Sequence, residues 1–117
     1  MTVMEGETYA PQRAAFLGVV NSRGPDEIRL LGQYPDRHPS EVEALRAVAN
    51  RYEYIATAIG LGALDYKTYK RLWRGSTLRD WERLEPFILI ERVGYKNPNF
   101  WTEYERLVAR LSKDKPG

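Results

Sequence analysis

An all-α domain, a single compact bundle of five or six helices with short connections, is the fold class this sequence predicts. Two observations carry it. Apolar residues recur at alternating three- and four-residue steps through most of the chain, and helix start and stop residues fall between those stretches. With 117 residues, 43% of them hydrophobic and 29% charged, the chain has one domain's length and can bury one core without staples. Residues 1–10 read as a flexible N-terminal arm, 11–112 as the helical domain and 113–117 as a frayed tail.

Pro11 suits a first helical position, and Arg13, Phe16, Leu17 and Val20 follow at helical steps, so a helix is expected over about 11–22. The rival is a hairpin, because AAFLGVV and EIRLLGQY flank the turn-like NSRGPD. Helices are preferred, since neither run alternates with period two. Pro25, followed by Asp26 and Glu27 at the positive end of a helix dipole, starts a short second helix that stops by Pro35.

Ser40 and Glu43 have the spacing of a capping box ahead of the clearest element in the chain. Val42, Leu45, Ala49, Tyr52, Ala56 and Ile59 form its buried stripe, which Val48 and Ile55 widen to suit a central helix. Gly60 and Gly62 end it. Asp65 then caps a short helix, YKTYKRLWR, that Gly75 closes, and Thr77 with Asp80 marks another start. The helix from Leu78 carries Trp81, Leu84, Phe87 and Ile88 inward, with a kink expected at Pro86 and an end near Gly94. Asn97 and Pro98 should open the last helix, with Phe100, Trp101, Tyr104, Leu107, Val108 and Leu111 on its buried face. Sequence neighbours are expected to pack as antiparallel pairs.

The absence of cysteine excludes disulfide scaffolds, cysteine-rich zinc sites and thiol nucleophiles, and fits a cytoplasmic protein. The N-terminus carries acids where a signal peptide has basic residues, and no apolar run approaches the roughly 18 residues of a membrane span, so no membrane role is expected. Net charge is only +2, but it is uneven: residues 1–50 hold five arginines against seven acids, and residues 51–117 hold thirteen basic residues against nine acids. Such asymmetry can mark an anionic partner.

The run NRYEYIATAIGLGALD, then Trp73, then WERLEPFILIERV resembles a bacterial family of small helical domains, domain of unknown function 4760. The matching positions are Asn50, Tyr52, Glu53, Gly62, Leu64, Asp65, Trp73, Trp81, Glu82, Pro86, Ile88 and Arg92. The resemblance covers roughly residues 11–110 and supports the helical reading of the ambiguous start. Many members follow an N-terminal membrane segment that is not visible here, so it implies no tethered role. The family has no established activity, so the resemblance implies a fold and no chemistry.

The sharpest functional candidate is a basic, aromatic helix face. Lys67, Lys70, Arg71 and Arg74 share one face, with Arg79 beyond, and no acid intervenes from Tyr66 to Arg79. Like charges left unpaired repel, so an anionic partner relieves a cost; Tyr66, Tyr69 and Trp73 could stack or anchor an interface. The plainer reading is a solvated face with Tyr69, Leu72 and Trp73 in the core. A second constellation places Glu53 opposite Arg92 and Glu82 of the Trp81 helix, as a structural pair fixing helix register. A catalytic reading would need two carboxylates in a cleft or a nearby base, and none is visible. His38, the single histidine, has no sequence-near ligand partner, and GLGAL is a helix end and no phosphate loop.

No catalytic residue, metal site or cofactor is therefore expected. The leading expectation is a non-enzymatic module that binds a protein partner and regulates or inhibits a larger bacterial complex, including one that handles nucleic acid. The alternative is direct, sequence-nonspecific nucleic-acid binding through the same face. Homodimerisation through an exposed apolar stripe is a separate outcome.

Overall fold

The computed structural model describes residues 9–114 and holds five helices in this span: α1 (Tyr9–Ser22), α2 (Pro25–Gln33), α3 (Pro39–Gly60), α4 (Tyr66–Gly94) and α5 (Thr102–Lys113). Most of the expected arm and tail, residues 1–8 and 115–117, lies outside the described residues. The hairpin alternative for the first 35 residues is gone, since both of its runs are helical.

Every position of the α3 stripe is buried, and Tyr104, Phe16, Phe87, Leu45 and Ile55 are the largest apolar side chains sealed from solvent. Tyr104 sits at the centre. Its ring stacks on Tyr52 at 4.5 Å between centroids and meets Trp81 edge-on at 4.9 Å, both favoured aromatic geometries.

The expected pairing of sequence neighbours is corrected. α1 lies along α3, α2 along α4, and α3 along α5, so the main contacts skip one helix. Only Arg23 and Gly24 separate α1 from α2, and the face of α2 bearing Ile28, Leu31 and Gly32 is buried against α4. Gly32 makes that docking close. A Cβ built there would sit 2.5 Å from Ile90 Cγ2 and 3.1 Å from the Phe87 carbonyl oxygen, so hydrogen alone fits.

Three expected boundaries move. The Ser40–Glu43 capping box does not form, because Pro39 takes the first helical position and His38 precedes the helix without a side-chain cap. The break at Gly75–Thr77 does not exist either; α4 runs unbroken for 29 residues, about 43 Å at 1.5 Å per residue. Glycine in a helix costs only about 1 kcal/mol. Thr77, read as a cap, is instead buried, donating its Oγ1 hydroxyl to the Trp73 carbonyl at 2.7 Å and lying 2.6 Å from the Tyr69 hydroxyl. Burial of Tyr69, Thr77 and Asp80 on one stripe holds both sides of Gly75 in one helix. Asp65 does cap it, accepting from the Thr68 amide at 2.9 Å, while Pro86 is accommodated inside.

Finally, α5 starts at Thr102, four residues later than expected, since Asn97 closes a tight turn by accepting from the Asn99 amide. Trp101 occupies the N-cap with φ 59° and offers no side-chain cap. Its neighbours supply one. Glu53 on α3 accepts from the Tyr104 amide at 2.8 Å, and Asn50 accepts from the Trp101 indole at 2.8 Å. α3 therefore caps α5 across the bundle.

Candidate functional site

Two buried carboxylates invite a catalytic reading, and both are spoken for. Asp80, fully sealed from solvent, accepts from Arg13 at 2.5 Å and from the Tyr52 hydroxyl at 2.6 Å. Glu91 accepts from Arg46 through both oxygens, at 2.6 and 3.2 Å, and Arg46 also reaches the Tyr95 hydroxyl at 3.0 Å. A buried charge persists only when paired and hydrogen-bonded, and both pairs join residues far apart in sequence, on α1 and α4 and on α3 and α4. Burial works against the Arg13 charge, but the hydrogen bond and field of Asp80 outweigh it and hold the guanidinium above its ordinary pKa. Burial, followed by the Asp80 charge, pushes the Tyr52 phenol far up, so it donates to Asp80 and does not ionise.

Neither pair was foreseen. Arg13 falls within the apolar stripe of α1, and Glu91 lies one turn past Phe87 and Ile88 on that of α4, so a charge on an apolar face was the available signal.

The expected pairing of Glu53 with Arg92 is also corrected. Glu53 serves the α5 N-terminus, Arg92 donates to the Phe100 carbonyl at 2.7 Å and pairs with Glu105 at 2.8 Å, and Glu82 is exposed on another face. The α5 amides claim Glu53 first because Trp101 leaves them uncapped.

The basic face divides into three parts. Tyr66 and Arg74 are docking residues for α5: the Tyr66 hydroxyl donates to Asp114 at 2.6 Å beneath the Arg110 guanidinium, 3.4 Å from its ring centroid, and Arg74 donates to the Leu111 carbonyl at 3.0 Å. That last contact satisfies a carbonyl at the α5 C-terminus, where cations are favoured. Burial, then the bond to Asp114, pushes the Tyr66 phenol up to about 12. Arg79 belongs elsewhere. It follows Arg74 by five residues, about 140° around the helix, and lines a cleft between α4 and the α1–α2 corner.

Lys67, Lys70 and Arg71 remain, with no carboxylate within ion-pair distance among the described residues. Beside them is Trp73. Tyr69, Thr77, Asp80 and Leu84 continue its stripe at helical steps and are all buried, yet Trp73 is 37% exposed and the adjacent Leu72 64%. The expectation that Tyr69 and Trp101 are core is met; for Leu72 and Trp73 it fails, because the bundle leaves that turn of α4 uncovered.

No helix among the described residues is long and apolar enough to cross a membrane, and none of their acids and histidines gather in threes as a metal site. The fold and this surface together define a class: an all-α bundle whose two buried carboxylates, Asp80 and Glu91, are held by arginines and whose outer α4 face presents cations beside an exposed aromatic. The chain belongs to the family described as domain of unknown function (DUF4760), whose model matches residues 3–111. No curated protein and no solved structure matches it.

Proposed function

We propose that this domain is a non-enzymatic binding module that docks on a larger protein through the outer face of the first turns of α4, and in doing so regulates or inhibits a bacterial assembly. The observation that carries the reading is Trp73: a large aromatic on an otherwise buried stripe, exposed beside three cations that have no ion-pair partner among the described residues. Aromatic anchors ringed by charge are the residues that dominate binding energy at protein interfaces. The commitment of Asp80 and Glu91 to arginines supports a binding role over catalysis.

The test is co-purification from the native host with crosslinking from Lys67 and Lys70, comparing wild type with a Lys67→Glu/Lys70→Glu/Arg71→Glu variant and with Trp73→Ala. A stoichiometric partner crosslinked to α4 and lost in both variants is expected. Equal recovery with all three chains, or no stoichiometric partner, rules the reading out.

The same exposed Trp73 and free cations favour direct nucleic-acid binding as the second reading, with the indole stacking on bases. Three neutralised phosphates on a single strand imply a log–log salt slope of about −2. Anisotropy of a labelled single strand across a salt series measures it, and a flat response removes this alternative. Light scattering at two concentrations reads self-association through the same patch.

A further inference from the structure

The C-terminal end of α1, the first turn of α2 and the middle of α4 enclose a cleft of about 400 Å³. Its apolar wall is Val20, Pro25, Ile28 and Pro86, and its polar wall is arginine-rich. Arg23 is already committed: its guanidinium donates to both oxygens of Glu41, at 2.5 and 2.8 Å, and sits 3.4 Å from Glu27. Arg79 and Arg83 are not. They stand four residues apart on α4, line the same cleft, and have no carboxylate within 4.0 Å among the described residues.

Two like charges at this spacing on a helix repel, and a shared anion would relieve the repulsion. Guanidinium forks match the geometry of carboxylate and phosphate, with two parallel N–H donors each. The apolar wall adds a second requirement, because a bare inorganic ion leaves it in contact with water. The volume lies at the low end of the roughly 300–1,000 Å³ typical of small-ligand sites. Glu82 also lines the cleft, with no ion-pair partner among the described residues, and its charge disfavours extended polyanions such as nucleic acid.

We propose that the α1–α2–α4 cleft binds a small organic anion, one carboxylate or phosphate held between Arg79 and Arg83 with an apolar body laid on Val20, Ile28 and Pro86. The site is separate from the Lys67–Trp73 surface. The same chemistry is offered by a free small molecule and by the C-terminal carboxylate of a peptide ending in an apolar residue.

Amide chemical-shift titration of the full chain tests this with phenylacetate, phenyl phosphate and the neutral isostere 2-phenylethanol, and with acetyl-Ala-Ala-Leu bearing a free or an amidated C-terminus. Expected are saturable shifts confined to residues 20–28 and 79–86 for the anionic probes, weakened at least tenfold for the neutral alcohol and the amidated peptide. Arg79→Gln/Arg83→Gln, with its helicity checked by circular dichroism, should weaken binding tenfold or more. Glu82→Gln should tighten it about twofold, the size expected for removing one nearby like charge, and Lys67→Glu/Lys70→Glu should leave it unchanged. Tighter binding of the free-acid peptide assigns the occupant to a chain terminus; tighter binding of the small anions assigns it to a metabolite. No saturable shift for any anionic probe, equal binding of charged and neutral probes, or full binding by the arginine variant overturns the proposal.

Discussion

Arg13 and Asp80 meet at 2.5 Å although 67 residues separate them, and the carboxylate at this contact is fully enclosed. The pair fastens α1 to the middle of α4, two of the three elements that bound the cleft. Removing the arginine alone strands a buried anion, a change that typically costs about 3–5 kcal/mol. Arg13→Leu should therefore lower the urea midpoint severely, and Arg13→Leu/Asp80→Asn should recover much of the loss, since asparagine still accepts from the Tyr52 hydroxyl without a charge to neutralise. A double variant no more stable than the single one contradicts this account.

Gly32 sets two effects against each other. Alanine in a helix gains about 0.5–1 kcal/mol over glycine, but here its Cβ would meet Ile90 and the backbone of Phe87. Overpacking of this kind costs about 1–3 kcal/mol, so Gly32→Ala should destabilise in thermal denaturation. Ile90→Ala in the same chain should restore part of the difference, by opening the closest contact.

At alkaline pH the fold should fail by its tyrosines. Burial pushes Tyr69 up to about 12, and Tyr9, Tyr52 and Tyr104 are also raised by burial, with Tyr66 at about 12. The folded state thus keeps protons that the unfolded chain releases near 10, so stability is complete below that pH and declines above it. Absorbance at 295 nm should show these phenols ionising only as helicity is lost, whereas in urea all eight tyrosines titrate together.

On the acid side the sign reverses. The Arg23 hydrogen bond lowers the Glu41 carboxyl from its usual 4.5, and the Thr68 hydroxyl and amide lower Asp65 from 3.8. Carboxyls depressed by folding stabilise above their unfolded values and lose that contribution as pH falls through the folded ones. Urea midpoints should therefore be level from neutrality to about pH 5 and decline below about 4.5, more gently in Asp65→Asn. The loss is modest, because Asp65 is exposed and Glu41 half-exposed, and solvent screens both.

Three tryptophans give a direct reading of the α4 surface. Trp81 and Trp101 are buried and Trp73 is not, so Trp73→Phe should remove most of the acrylamide-quenchable emission and shift the remainder to the blue. If quenching is unchanged, Trp73 is covered in solution.

Much of this was readable in the chain. The α3 stripe from Val42 to Ile59 follows directly from its spacing, and Asp65 is recognisable as a cap because it precedes a helical run and its acceptor is satisfied locally. The failures share one cause, which is that long-range contacts reassign residues with a valid local role. Thr77 and Asp80 spell a capping box, but burial enlists both in the interior and the helix continues. Glu53 suggests a partner in Arg92, yet it is taken by amides that a left-handed Trp101 leaves open. Arg79 follows the basic run in sequence, and only the rotation of α4 shows that it faces another way.

The unbroken course of α4 through Gly75 has a kinetic meaning. A Cβ there would meet nothing within 4 Å, so of the residues in that turn it is Arg74, through its bond to the Leu111 carbonyl, that ties it to α5, and after proline glycine is the residue least inclined to stay helical. Amides around residues 72–76 should exchange with deuterium well before those of 84–91, which are locked beneath Leu84, Phe87 and Ile88. The turn bearing Trp73 is then the part of the longest helix that opens first, and a partner seated there would reveal itself by slowing that exchange while leaving the rest of the protection pattern intact.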